Sequence, residues 1–318
     1  MNVKAIKMHG QGNDYIFLDL EDNHIQLSSI NQLAIKLSDR HFGIGGDGLI
    51  LIEKMPQKAI YYNARLKIYN SDGSEANTCG TALRCAAYYL YEKHSKTKIN
   101  LHTLSGVKRC NIDQNSNRIS VNMGKVIYEK AMTILVDGIK IKGYSVNIGN
   151  PHFVVFDIEQ SLAQHFSHQN SDVAEIRDVL NIGMNTFSLK EAPKDFMKMI
   201  ENHHAFPNKT NIMIITNCEV GDINIEHPPL LRGADKGLSS LNIKIWERGS
   251  GFTLACGSGA CASAFMAFKL LKLSNNIKVF LPGGEVMVKI LDDETCELSG
   301  NVNKVFETEL KPELLNPT

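Results

Sequence analysis

Two short steps of one design constrain this chain more than anything else in it: Cys79-Gly80-Thr81 and Cys256-Gly257-Ser258. Each opens an apolar run rich in small residues, TALRCAAYYLYEK in the first case and SGACASAFMAFKLL in the second. Aligned on the cysteines, Gly80 matches Gly257, Thr81 matches Ser258, Ala87 matches Ala264, Tyr88 matches Phe265 and Tyr91 matches Phe268. Both runs read as helices without a polar face, and such a helix has to be buried on all sides. A sheet wrapped around each helix would bury it. The chain therefore reads as two like halves, each with several strands and one central helix that starts at a Cys-Gly step.

The first N–H groups of a helix have no intrahelical partner, and the helix dipole is positive there. Such an end holds carboxylates and phosphates. It also favours thiolate over thiol, lowering a cysteine pKa from about 8.5. Glycine beside the sulfur lets a ligand approach the backbone. Two such thiols suit a symmetric task, in which one sulfur takes a proton from one face of a carbon and the other delivers a proton to the opposite face. A single buried cysteine is ordinarily just a small hydrophobe, and it is the matched pair that argues for chemistry. The other cysteines look ordinary: Cys85 and Cys261 lie on the helices, and Cys110, Cys218 and Cys296 sit in apolar or strand-like settings. No C-x-x-C or H-x-x-x-H spacing occurs near either step, so no metal is expected.

Seven cysteines is an odd number and fits a reducing compartment. Lys+Arg and Asp+Glu balance at 34 each, with no basic run, which argues against nucleic acid as the main partner. No apolar stretch is long enough to span a membrane. The opening MNVKAIKMHGQGND is too poor in apolar residues for a signal peptide. These features predict a cytoplasmic protein.

Strands are expected at VKAIKMHG, DYIFLDL, GLILIEK, RLKIYNS and KINLHTL, with a helix over NQLAIKLSDRH. In the second half they are expected at RISVNMG, KGYSVNIGN, FVVFDI, TNIMIITN, LNIKIWERG and IKVFLPGGEVMVKIL, with a helix around SDVAEIRDVLN. The polar, turn-rich DQNSNR marks a boundary near 112–120. The domains expected are 1–118, completed by 303–318, and 119–302. The irregular stretches over 190–210 and 230–240 read as surface insertions without chemistry.

Further motifs gather before the cysteines. MHGQGNDY forms a tight turn that presents the Asn13 amide. RHFGIGGDGLI, which includes Gly48, lacks the Lys-Ser/Thr of a P-loop and reads as a glycine-rich turn lining a site. YNSDGSE places Asn70, Asp72 and Gly73 in a turn leading to Cys79. NIGNPH gives Asn150 and His152, and a His after Pro is more often structural than catalytic. Glu247 and Arg248 stand shortly before Cys256; such a pair is usually a solvated surface, but here it leads into the candidate site.

With these motifs in this order, the chain resembles the diaminopimelate epimerase family over nearly its whole length. MHGQGNDYIFLD, FGIGGDGLI, YNSDGSE, the first Cys-Gly step, NIGNPH, ERGSG and ACGSGACA carry the resemblance. The last, preceded by ERG, is the specific signal. The resemblance implies an α+β fold of two pseudo-symmetric domains, each a mostly antiparallel sheet or barrel around a central helix, with the active site in the cleft between them and closure on turnover. It implies a cofactor-independent epimerase that interconverts LL- and meso-2,6-diaminopimelate in lysine and peptidoglycan-precursor synthesis. Cys79 and Cys256 would be the acid/base pair, with His152 beside Cys79 and Glu247 beside Cys256. Gly80, Thr81, Gly257 and Ser258 would hold the reacting α-carboxylate. Asn13, Gly48, Asn70, Asn150, Asn211, Glu247 and Arg248 would complete the substrate site, with Arg248 forking onto the distal carboxylate. A homodimer without cofactor or metal is implied.

The family's first cysteine motif normally reads Cys-Gly-Asn-Gly, whereas here Thr81 and Ala82 follow Gly80. Thr81 can still donate a hydrogen bond, and Ala82 adds a methyl group where close approach was allowed. Phe252 stands where a polar residue is usual. Two alternatives follow: a related racemase of another amino acid, such as histidine or glutamate, and a non-catalytic amino-acid-binding protein on the same fold. Arg248 speaks against the first and the retention of both cysteines against the second.

Overall fold

The structure is a computed structural model and describes residues 3–23, 30–57, 61–157, 188–219 and 238–311. The helix expected around SDVAEIRDVLN and most of the 230–240 stretch lie outside the described residues. The chain divides into two compact units, residues 1–122 with 299–318 and residues 123–298.

In unit 1, β1 (Val3–Gly10) and β2 (Asn13–Asp19) form a hairpin whose turn residues Gln11 and Gly12 have φ of 54° and 82°. There follow α1 (Ile30–Ser38), β3 (Gly48–Lys54), β4 (Tyr62–Asn70), the two-residue β5 (Glu75–Ala76), α2 (Gly80–His94), β6 (Lys98–Thr103), β7 (Gly106–Asp113) and β8 (Arg118–Lys125). Unit 2 holds β9 (Ile127–Val136), β10 (Ile139–Asn147), β11 (Pro151–Phe156), a 3-10 turn at Leu189–Glu191, α3 (Lys194–Glu201), β12 (Asn211–Glu219), β13 (Ser239–Glu247) and the two-residue β14 (Gly251–Phe252). It continues through α4 (Gly257–Leu271), β15 (Asn276–Leu281), β16 (Gly284–Ile290) and β17 (Thr295–Gly300), after which β18 (Asn303–Leu310) pairs with β1 in unit 1.

The strand pairings repeat. In unit 1 the series β1–β2, β2–β3, β3–β4, β4–β5, β4–β6 and β6–β7 runs antiparallel, parallel, antiparallel, antiparallel, parallel, antiparallel. In unit 2 the series β10–β11, β11–β12, β12–β13, β13–β14, β13–β15 and β15–β16 runs the same way. A parallel pair needs a crossover, and α2 and α4 provide those between β4 and β6 and between β13 and β15. Both helices have 15 residues, a cysteine as N-cap and a left-handed C-cap.

Burial follows from this topology. Residues Gly80–Ala87 of α2 are all buried, and β1, β2, β6 and β7 pack around the helix. In α4, Gly259–Ala267 are all buried against strands of unit 2. On β2 and β3, Ile16, Leu18, Leu49 and Leu51 face the opposite side, where α1 covers them with Leu33, Ala34 and Leu37. Strands covered on both faces read as continuous apolar runs, which is why GLILIEK was legible. By contrast β7 buries only Cys110 and Ile112 fully, and Arg109, Asn111 and Asp113 beside them are exposed and polar, so its strand signal is faint.

The 190–210 stretch is not a surface insertion. Phe196, Met197 and Ile200 of α3, with Phe206 beyond it, enter a core containing Phe153, Ile212, Ile214 and Trp246. Charged residues on the outer face of this one short helix masked its apolar face in the sequence. Among the described residues no helix is long and apolar enough to cross a membrane.

Candidate active site

In unit 1 the N-cap position gives Cys79 extended backbone angles, φ −147° and ψ 120°, so its sulfur stands ahead of the first turn of α2 rather than within it. Asn13 and Tyr15, two residues apart on β2, point to the same face and both reach that sulfur. Cys79 Sγ lies 3.4 Å from Tyr15 Oη and 3.8 Å from Asn13 Oδ1. The Asn13 amide is fixed from behind, where Nδ2 donates to Asp47 Oδ2 at 3.1 Å. Asp47 in turn belongs to a charged cluster with Asp14, Lys7 and Arg40. Burial pushes the Asp47 carboxyl up, and the Asp14 charge adds to this. Burial acts on Asp14 too, but Arg40 and Lys7 outweigh it and leave that carboxyl below its usual range.

The sheet register brings more of the predicted residues together. Tyr15 pairs with Gly48 across β2–β3, and Gly48 pairs with Asn70 across β3–β4. The Asn70 side chain donates to Ser74 Oγ at 3.0 Å, which ties it to the turn before the helix. A Cβ at Gly48 would stand 2.0 Å from the Tyr69 carbonyl oxygen and 3.0 Å from the Tyr15 ring. Glycine is required there by backbone packing and by the ring, not only by a ligand.

Thr81 and Ala82 lie in the interior of unit 1. Ala82 is fully buried and Thr81 nearly so, and the Thr81 methyl lies 3.1 Å from where a Gly10 Cβ would be. The extra methyl of Ala82 is therefore taken up by the interior.

In unit 2, Cys256 caps α4 in the same conformation as Cys79 caps α2, with φ −137° and ψ 109°. Its sulfur is 3.5 Å from Ser258 Oγ. A Cβ at Gly259 would meet Met213 Sδ at 2.2 Å and Cys256 Sγ at 3.3 Å, so glycine admits both sulfurs. The lowered thiol pKa expected at a helix start does not hold at Cys256. Burial raises it well above the usual range and the Glu247 charge adds to that, while Ser258 and the Gly259 N–H only partly oppose them. Cys256 is thus a neutral thiol beside Glu247, whose Oε1 accepts from Thr253 Oγ1 at 2.7 Å.

His152 is buried on β11, and its Nε2 lies 3.0 Å from Asn150 Oδ1. Burial, reinforced by the Arg248 charge, lowers its pKa to about 3, so the imidazole is neutral at ordinary pH. His152 pairs with Asn211 across β11–β12. Asn211 donates to Pro151 O at 3.1 Å and accepts from the Arg248 N–H at 3.0 Å. The exposed Arg248 guanidinium donates to Asn208 O at 2.9 Å, and among the described residues no carboxylate forms an ion pair with it. Phe252, 40% exposed, lies edge-on to Trp246 with ring centroids 5.0 Å apart, a packing role.

Several contributing residues gave no signal in the sequence. Tyr15 sat in a strand pattern, Asp47 in a glycine run and Met213 in an apolar run. Glu201, at the end of α3, accepts from Trp246 Nε1 at 2.8 Å and from the Gly249 N–H at 3.1 Å. It thereby anchors the turn that carries Glu247 and Arg248. Glu201→Ala strands one buried donor, Trp246 Nε1, and frees the more exposed Gly249 N–H, and it is expected to lower the unfolding free energy by about 1–3 kcal/mol in urea titration. Glu201→Gln, which keeps an acceptor, should lose less than half of that.

The family model described as diaminopimelate epimerase matches residues 5–129 and 144–305. A diaminopimelate epimerase of Desulfitobacterium hafniense is 31% identical over 99% of this chain and 100% of its own length. One of Halothermothrix orenii is 32% identical over 96% of this chain and 97% of its own. Among solved structures, a PhzF-family phenazine biosynthesis protein of Bacillus anthracis is similar with a TM-score of 0.63 at 13% identity, covering 98% of this chain and 99% of that one. A hydroxyproline epimerase of Agrobacterium vitis is similar with a TM-score of 0.62 at 11% identity, covering 99% and 94%. At these identities the structural likeness establishes the fold.

Proposed function

The chain belongs to the diaminopimelate epimerase family, and from that premise we infer that it interconverts LL- and meso-2,6-diaminopimelate by moving a proton between two cysteine sulfurs and one α-carbon. The observation that carries this reading is the matched pair of N-cap cysteines, Cys79 on α2 and Cys256 on α4. One sulfur, as thiolate, removes the α-proton; the other, as thiol, protonates the opposite face. The neutral Cys256 thiol beside Glu247 suits the donor role in one direction. In the reverse direction Glu247 takes the Cys256 proton. His152, a neutral imidazole held on Asn150, is assigned to helping set the ionisation of the Cys79 thiol.

The carbanion is the costly intermediate. Free N–H groups at the first turns of both helices, at Gly80, Thr81, Gly257 and Ser258, are assigned to the α-carboxylate that shares its charge. Arg248, exposed and without an ion pair among the described residues, is assigned to the distal carboxylate. Asn13, Asn70, Asn150 and Asn211 are assigned to the remaining polar groups, beside the bare backbone of Gly48. The protein is further read as a cytoplasmic homodimer that works without pyridoxal phosphate in lysine and peptidoglycan-precursor synthesis.

Incubation with LL-diaminopimelate in heavy water, without pyridoxal phosphate, should give the meso form with solvent deuterium at one α-carbon. Exchange with another amino acid but not with diaminopimelate would replace this substrate with that one. Binding without any exchange would overturn the enzymatic reading.

A further inference from the structure

The two side chains at Cys79 Sγ differ in what they can offer it. Asn13 Nδ2 is committed to Asp47 Oδ2, which turns Oδ1 toward the sulfur at 3.8 Å. A carbonyl oxygen can only accept, so Asn13 serves the thiol and opposes the thiolate. The Tyr15 hydroxyl, 3.4 Å from the same sulfur, is a rotor that can accept or donate. Its ring is 5% exposed and reaches this place because Gly48, opposite it on β3, has no side chain.

The repeat within the fold marks the same position. Tyr15 on β2 stands opposite Gly48, the first residue of β3. His152 on β11 stands opposite Asn211, the first residue of β12. The pairings around both are the same, so Tyr15 occupies in unit 1 the position that His152 occupies in unit 2.

We propose that Tyr15 is a further catalytic residue, whose hydroxyl accepts the Cys79 thiol hydrogen and turns to donate a hydrogen bond when Cys79 becomes the thiolate. The proposal rests on the reading of Cys79 as an acid/base residue. In the step itself the substrate Cα–H bond breaks and a Cys79 S–H bond forms. The electron pair stays on the α-carbon and its carboxylate, and the phenol O–H bond stays intact throughout. What changes is only the direction of the O–H dipole, so Tyr15 supports both protonation states without supplying a proton. Among the described residues, the titratable or charged groups near this sulfur include Asp14 and Asp47 next to Asn13, with their partners Lys7 and Arg40, and Cys85 and Arg84 on α2.

The test is alkylation of Cys79 by iodoacetamide, followed on its own peptide by mass spectrometry as pH is varied. In Tyr15→Phe the midpoint should rise by about one pH unit, the loss of one hydrogen bond to a charged sulfur. Turnover should fall roughly tenfold with KM held within about twofold, because the bond strengthens when the sulfur is charged rather than when substrate binds. Tyr62→Phe is the control: that ring is buried too, but it stacks on His94 at the far end of α2, 4.1 Å between centroids, and should move neither quantity. A ring-fluorinated tyrosine at position 15, a stronger donor, should move the midpoint down. An unmoved midpoint in Tyr15→Phe overturns the proposal. A shifted midpoint in a protein that does not act on diaminopimelate supports the tyrosine–thiol pair and overturns the substrate instead.

Discussion

Replacing Cys256 with alanine is expected to lower conversion of LL-diaminopimelate by roughly a thousand- to ten-thousandfold, and replacing Cys79 should do the same. The size follows from the chemistry. In the proposed mechanism each sulfur handles the proton on one face of the α-carbon, and the neighbouring Ser258 hydroxyl is far too weak an acid to take the place of the Cys256 thiol. The residue is 6% exposed, so water is a poor substitute. The double variant should be no slower than either single one, because two groups that act as a unit are lost together. Cys85→Ala supplies the comparison. That thiol is fully buried and its pKa is pushed to about 12 by burial, so it takes no part in proton transfer near neutral pH. Its variant should keep a rate near that of the unsubstituted chain. Chromatographic separation of the LL and meso isomers, with circular dichroism as a check on folding, reads all four variants. A Cys256→Ala protein that kept most of its rate would remove that sulfur from the reaction.

Much of this was legible because it is local or repeated. The cysteine steps announced two helices of one kind, and the absence of a polar face required them to be enclosed. Asn13, Gly48 and Asn70 were found as turn residues, yet their meeting on neighbouring strands depends on a register that the sequence does not print. What stayed hidden depended on partners distant in the chain. Tyr15 looked like any strand aromatic until Gly48 was placed opposite it. Glu201 looked like surface charge until Trp246 and Gly249 were placed on its two oxygens. The Cys256 thiol was misjudged for a related reason: the helix end was visible in the sequence, but the burial and the Glu247 charge that override it were not.

Acid should weaken unit 2 through His152. Its pKa lies at about 3 in the folded chain against an ordinary value of 6.5, depressed first by burial and then by Arg248. With Nε2 donating to Asn150 Oδ1, the bare Nδ1 is the basic nitrogen, and it is buried without a hydrogen-bond partner. Above pH 6.5 the ring is neutral in both states and contributes no pH dependence. As pH falls below 6.5 the unfolded chain takes up a proton that the folded chain refuses. Stability is therefore lost progressively, by about 1.4 kcal/mol per pH unit at most, until the folded ring also titrates near pH 3. Urea midpoints measured across that window should fall more steeply for the unsubstituted chain than for His152→Gln, which has nothing to protonate there. The same burial that makes the fold acid-labile keeps the imidazole a free base at neutral pH. If the two slopes were equal, the ring would be taking up its proton in the folded state as readily as in the unfolded one. The burial and the Arg248 charge would then not be holding it neutral, and the acid window assigned to His152 would belong to other groups.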